Sequence, residues 1–145
     1  MITIRKASKH ALSAAALSIF IILGAGSFDT DQGAQKIAGA TPDYVLSADT
    51  LYQAYDRNSV AADAKYEDKI VKVSGTIQSI GKDITDTAYL VIGGRGFLDG
   101  VQCMLPRGQE ALVARVSKGQ YVTLKGKVSG QIMGNVIVNN CSFSN

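Results

Sequence analysis

The chain has 145 residues, a single histidine and a formal net charge of +3, which leaves room for one domain and excludes several kinds of site. The excess positive charge lies at the N-terminus, in Arg5, Lys6 and Lys9. The other 12 basic residues balance the 12 acidic ones, so the rest of the chain lacks the net positive charge of non-specific nucleic-acid-binding proteins. The histidine is His10. Beyond it, no histidine is left for a catalytic triad or a metal site.

The N-terminal segment has the layout of a secretory signal. A basic head is followed by the uncharged, mostly apolar run Ala11–Gly26, which ends in small residues. We therefore predict a signal peptide over residues 1–26, cleaved before Ser27, and export to the periplasm or the cell exterior. The alternative is an uncleaved segment that anchors the protein in the membrane. A lipoprotein signal would have a cysteine where Ser27 stands, so we expect no lipid anchor.

Residues 27–46 are rich in glycine, alanine and aspartate without periodicity, which predicts a flexible linker. The folded domain is expected over residues 47–145. Ser47 is a good N-cap for a short helix that ends near Tyr55. Ser59 is expected to cap a second short helix, through Tyr66.

Two segments with period-2 alternation carry a glycine on the apolar side, Gly75 and Gly126, and such glycines are typical of bent strands. The predicted strands are Ile70–Ile80, Ala88–Ile92, Val101–Leu105, Tyr121–Val128 and Val136–Phe143, with a helix over Gln109–Lys118. Three strands, a helix and two strands is the order of the OB-fold. We therefore predict an all-β domain with accessory helices: a five-stranded Greek-key barrel preceded by two short helices. The fourth and fifth strands would close against the first and third. The alternative is an open α+β sheet.

The cysteines Cys103 and Cys141 are expected to point into the barrel from its third and fifth strands. An exported chain with two cysteines favours a disulfide. The alternative is a pair of free thiols packed as small apolar side chains. We expect no metal site, no cofactor and no catalytic residues. The glycine-rich segment Gly93–Gly96 lacks the helix of a phosphate loop and is expected to be a flexible hairpin loop.

OB-folds bind ligands on the outside of their second and third strands and on the turns beside them. The residues expected on this face are Lys82, Tyr89, Arg95, Phe97, Gln102, Met104, Gln131 and Asn135. Two aromatic side chains and few cations form a poor platform for single-stranded nucleic acid.

Several short segments in a fixed order resemble one protein family. They are Ala48–Tyr52, Asn58–Tyr66, Val73–Ile77, Val101–Cys103, Lys118–Gly119, Val122–Val128 and Asn140–Cys141. Together they resemble the exported bacterial OB-fold proteins of the tRNA-anticodon-binding-like type, which are often described as proposed nucleic-acid-binding lipoproteins. The resemblance implies an OB-fold over nearly the whole domain. It carries no catalytic residues, and this chain departs from the lipoprotein members because it lacks their lipid-accepting cysteine.

The sequence therefore predicts an exported, non-catalytic binding module whose barrel face takes an envelope protein or an extended polymer. The alternative is binding of single-stranded nucleic acid or oligonucleotides, expected at about 10⁻⁴ M or weaker at physiological salt. An envelope hydrolase is disfavoured by the lack of histidine and by acidic residues scattered among turns.

Overall fold

The computed structural model describes residues 29–96 and 98–145, so the predicted signal peptide and Phe97 lie outside the described part of the chain. The chain divides into two units, residues 1–32 and Gly33–Asn145. Of the first unit, only the beginning of helix α1 (Asp29–Gly39) is described. Among the described residues, no helix is both long and apolar enough to cross a bilayer.

The second unit contains the remaining helices and strands. In chain order these are β1 (Tyr44–Ser47), α2 (Ala48–Arg57), α3 (Ser59–Tyr66), β2 (Ile70–Lys82), β3 (Ala88–Ile92), β4 (Val101–Met104), α4 (Glu110–Val113), β5 (Tyr121–Ile132) and β6 (Asn135–Phe143).

Five of these strands close into the predicted barrel. β2, β3 and β4 form consecutive antiparallel pairs. β6 pairs in parallel with β4 and antiparallel with β5, and β5 pairs antiparallel with β2. The fourth predicted strand, β5, thus pairs with the first, β2, and the fifth, β6, pairs with the third, β4. This closed pairing confirms the predicted OB-fold and excludes the alternative of an open sheet.

A sixth strand lies outside the predicted five. β1 pairs in parallel with β2, from Tyr44 opposite Val71 to Ser47 opposite Ser74. The predicted linker over residues 27–46 is thus replaced, in its described part, by α1, a short connection and most of β1. The four residues of β1 are too few to show a clear alternation of apolar and polar side chains in the sequence. They form a strand because β2 supplies the hydrogen-bonding partner.

Helix ends follow the expected capping chemistry with one correction. The Ser47 hydroxyl accepts a hydrogen bond from the Thr50 N–H at 3.0 Å, as an N-cap should. The cap of α3 is Asn58 and not Ser59, because the Asn58 side chain accepts from the Ala61 N–H at 3.1 Å. Both residue types are good caps, so the sequence alone did not distinguish them.

The helix predicted over residues 109–118 is shorter in the structure. Only Glu110–Val113 is α-helical. The following residues continue in tighter turns, in which Arg115 N–H donates to the Leu112 carbonyl and Val116 N–H to the Val113 carbonyl. Val113 is buried and Val116 is partly buried, so these two apolar residues of the predicted helix pack on the barrel.

Cys103 and Cys141 are fully buried free thiols, and the predicted disulfide between them is absent from the structure. Cys103 lies opposite Val138 in the register between β4 and β6. Cys141 comes three residues later, beyond Asn140, whose φ is 52°. The two residues are therefore not direct cross-strand partners, and the Cys141 thiol donates to the Val138 carbonyl at 3.3 Å. Burial raises the pKa of the Cys141 thiol, and the Cys103 thiol raises it further.

Alkylation without a reductant tests the state of this pair. We expect no adduct on the native protein because both side chains are inaccessible. After denaturation we expect two adducts per chain in the intact mass. A denatured chain that takes up no alkyl group would instead show that the disulfide forms.

Candidate ligand-binding groove

An open groove of about 460 Å³ runs along the outside of the barrel where β4 meets β6. Gln102 and Met104 reach it from β4 because their neighbours in that strand point into the core. Ile137 faces it from β6 and lies opposite Gln102. The groove also contacts the two turns beside these strands. Its remaining lining includes Asp83, Leu98, Ile132, Met133, Asn135 and Asn139.

One end of the groove is formed by exposed apolar side chains. Leu98 is 50 % exposed, Ile132 61 % and Met133 89 %. Single exposed apolar residues are common on protein surfaces, but three around one concavity are typical of a binding site. This end of the groove is therefore suited to an apolar group of a ligand.

Met133 occupies an unusual backbone position at this end. Ile132 pairs with Asn135, so Met133 and Gly134 form the two-residue turn between β5 and β6. Their φ angles are 49° and 90°. Such turns favour asparagine or aspartate before glycine, because other side chains are strained at positive φ. A methionine here is less favourable for folding than asparagine, and its exposed side chain gains no core packing in exchange.

Asn135 holds the wall of the groove in place. Its side chain is 4 % exposed, and its Oδ1 accepts a hydrogen bond from the Gly100 N–H at 3.0 Å. Its Nδ2 donates to Gln102 Oε1 at 3.2 Å. The Val136 N–H also donates to the Gly100 carbonyl. The loop that carries Leu98 is therefore fixed to the β5–β6 hairpin before any ligand arrives.

Asp83 provides the charge in the groove. Its Oδ1 accepts hydrogen bonds from the Thr85 hydroxyl at 2.7 Å, the Thr85 N–H at 2.8 Å and the Thr87 N–H at 3.0 Å. These bonds, the Thr85 hydroxyl foremost, lower the pKa of Asp83. The carboxylate is thus ionised at neutral pH and held in a fixed position. No described lysine or arginine lines this groove.

A second cavity of about 370 Å³ continues from the first. Asp83, Met104 and Asn139 line both cavities, and Arg107 lines the second. The positive charge of Arg107 also lowers the pKa of Asp83, but less than the hydrogen bonds do. The two side chains form no ion pair in the described structure. The continuous surface is therefore apolar at the hairpin, acidic at its middle and basic at its far end.

The family model named tRNA_anti-like matches residues 6–142, which is almost the entire chain. The chain belongs to the tRNA_anti-like family. No curated protein matches it.

One similar solved structure has the same fold as this chain. A proposed nucleic acid-binding lipoprotein from Klebsiella pneumoniae subsp. pneumoniae MGH 78578 is 21 % identical, with a TM-score of 0.55, over 77 % of this chain and 97 % of that chain. The OBody AM3L09, solved bound to hen egg-white lysozyme, is 20 % identical with a TM-score of 0.40, over 57 % and 91 % of the two chains. A proposed aspartyl-tRNA synthetase from Leishmania major Friedlin is 13 % identical with a TM-score of 0.43, over 68 % of this chain and 19 % of that chain.

Within this tRNA_anti-like domain, the groove brings together only some of the eight residues predicted for the binding face. Gln102, Met104 and Asn135 line it. Tyr89 lies opposite Met104 in the neighbouring strand, and its ring covers Gly81. Gln131 donates to the Gly134 carbonyl at 3.3 Å and so closes its own hairpin turn.

The two predicted cations do not line the groove. The Lys82 ammonium pairs with Asp86 at 2.9 Å, and Lys82 lines a different cavity, beside α4. Arg95 is exposed on the loop between β3 and β4. Its backbone N–H donates to the Asp99 carbonyl. Phe97 is outside the described residues. The groove residues that the sequence did not indicate are Asp83, Leu98, Ser129, Ile132, Met133, Ile137 and Asn139.

The glycine-rich start of the β3–β4 loop is packed against helix α2 and so differs from the predicted flexible loop. The Gly94 N–H donates to the Asp49 carboxylate at 2.6 Å. A Cβ atom on Gly93 would lie 2.7 Å from the Cβ of Ala48, and one on Gly94 would overlap the Asp99 carbonyl. These glycines are explained by close backbone packing. In the described part of the chain, no group of three or more metal-ligating side chains is present.

Proposed function

We propose that this tRNA_anti-like protein is an exported, non-catalytic module that binds an extended segment of an envelope protein in the β4–β6 groove. The observation that supports it is the combination of exposed apolar side chains at one end of the groove with amide side chains along it. Apolar pockets select alternate side chains of an extended peptide, and amides such as Gln102 and Asn139 bond its backbone. Export is supported by the signal-like N-terminus and by the similarity to a lipoprotein.

Nucleic-acid binding is the second candidate, favoured by the description of the Klebsiella relative. Single-stranded nucleic acid requires cations along its backbone and aromatic rings under its bases. The groove presents Asp83, which would repel phosphate, and Arg107 lies only in the adjoining cavity. The charges along the groove therefore favour a protein segment over a polyanion.

One matched pair of variants separates the two candidates. Ile132 and Val45 are both exposed β-branched residues in strands, 61 % and 71 % exposed, but only Ile132 lines the groove. Ile132→Lys is expected to weaken binding of a peptide selected from a random display library by about tenfold, the loss expected when an apolar contact in the interface is replaced by a charge. Val45→Lys should leave it unchanged. The measurement is a fluorescence anisotropy titration of the full chain.

The same proteins are titrated with a labelled thymidine dodecanucleotide at low and at physiological salt. We expect affinity no better than about 10⁻⁴ M at physiological salt. Binding in the micromolar range or tighter that falls with salt, and that Ile132→Lys strengthens by adding a positive charge, would reject the protein-segment proposal in favour of nucleic acid.

A further inference from the structure

We infer that the groove selects segments that carry an apolar side chain for the Met133 end and a lysine or arginine for Asp83. This inference rests on the proposed function and specifies its ligand. Met133 and Asp83 line the same groove, together with Leu98 and Ile132. An extended chain that follows β4 and β6 would meet both.

The argument for Met133 is that its side chain serves no structural purpose that asparagine would not serve better. It is 89 % exposed, and the φ of 49° at this turn position is one that asparagine tolerates more readily. A strained residue with an exposed apolar side chain at the rim of a groove is explained by a contact made only when a ligand is bound. Methionine suits such a contact because its flexible thioether adapts to different apolar partners.

The argument for Asp83 is charge complementarity. Three hydrogen bonds to Oδ1 fix the carboxylate, so Oδ2 is the atom that would meet a ligand cation. Among the described residues, no cation lines this groove. Arg107 lines the adjoining cavity together with Asp83 but forms no ion pair with it. A lysine or arginine of the ligand would therefore gain a charge-assisted hydrogen bond to a positioned acceptor.

The test is selection from a display library of random dodecapeptides on the immobilised full chain, repeated with four variants. Asp83→Asn keeps the oxygen that accepts the loop hydrogen bonds but removes the charge. Its control is Asp86→Asn in the same loop, because Asp86 pairs with Lys82 and does not line the groove. Met133→Asn removes the apolar side chain. Its control is Val60→Asn, since Val60 is 78 % exposed on α3.

We expect wild-type selections to enrich a basic residue and a large apolar residue at a constant spacing. Asp83→Asn should abolish the basic preference and keep the apolar one. Met133→Asn should lower the affinity for the selected peptides by about tenfold. It should also raise the thermal unfolding midpoint, because asparagine relieves the strain in the turn. Both control variants should select the wild-type motif.

The outcomes separate this inference from the function on which it rests. Failure to enrich any peptide would reject the proposed function itself. Enrichment of one motif that Asp83→Asn and Met133→Asn leave unchanged would retain a protein-binding module but overturn the selectivity inferred here. Enrichment of acidic peptides would also overturn the inferred selectivity. So would control variants that lose the selected motif as fully as Asp83→Asn and Met133→Asn do.

Discussion

Gly126→Ala is expected to lower the free energy of unfolding by about 1–3 kcal/mol, the usual effect of overpacking a core. Gly126 faces the barrel interior at the irregularity between β5 and β6. A Cβ atom there would lie 2.7 Å from the Asn139 carbonyl oxygen, 2.7 Å from a methyl carbon of Val138 and 3.0 Å from the Cys141 sulfur. Carbon atoms in contact are normally about 3.5–4.0 Å apart, so the two strands would have to separate.

Two other glycines provide a graded comparison in urea unfolding experiments. A Cβ atom on Gly75 would lie 3.1 Å from both the Ala48 Cβ and the Gly93 nitrogen. We therefore expect Gly75→Ala to lower the free energy of unfolding by less than Gly126→Ala does. Gly96→Ala meets no atom within 4 Å and has no positive φ, so we expect no loss. Equal stability of the Gly126 and Gly96 variants would contradict the close approach of β5 and β6.

Asn135→Ala is expected to lower the free energy of unfolding by about 1–3 kcal/mol, because it leaves the buried Gly100 N–H without its side-chain acceptor. The loop between β3 and β4 would lose its attachment to the β5–β6 hairpin. We therefore also expect faster native-state hydrogen exchange at the Gly100 amide and weaker binding in the groove, since Leu98 and Gln102 would no longer be held.

The matched variant is Gln131→Ala in the same hairpin. It removes one partly exposed hydrogen bond, to the Gly134 carbonyl, so its effect should stay within about 0.5 kcal/mol. If Asn135→Ala leaves the exchange rate of Gly100 unchanged, the role of Asn135 as the anchor of the loop is contradicted.

The barrel was predictable from sequence because its signals are local. Val71, Val73 and Ile77 alternate with polar residues and are all buried in β2. Glycines at 75 and 126 mark positions where strands or helix α2 come close. The family resemblance rests on the same segments and is confirmed.

The groove was only partly predictable because it depends on how loops fold over strands. Gln102 and Met104 were placed by alternation along one strand. Asp83 and Leu98 reach the groove only because their loops turn towards β6, which no local pattern shows. Lys82 was expected on this face but pairs with Asp86 beside α4. The one available signal was Met133 before Gly134, an unusual residue for a tight hairpin turn.

Amide chemical-shift mapping of the ¹⁵N-labelled full chain is the most direct test of the claim that the β4–β6 groove binds a protein segment. The probes are a library-selected peptide and a thymidine dodecanucleotide, added separately at physiological salt. With the peptide, we expect saturable shifts concentrated at Gln102, Met104, Met133 and Ile137, and with the oligonucleotide no saturable shifts. Peptide shifts confined to other surfaces, or saturable oligonucleotide shifts around Lys82, Arg95 and Arg107, would contradict the account.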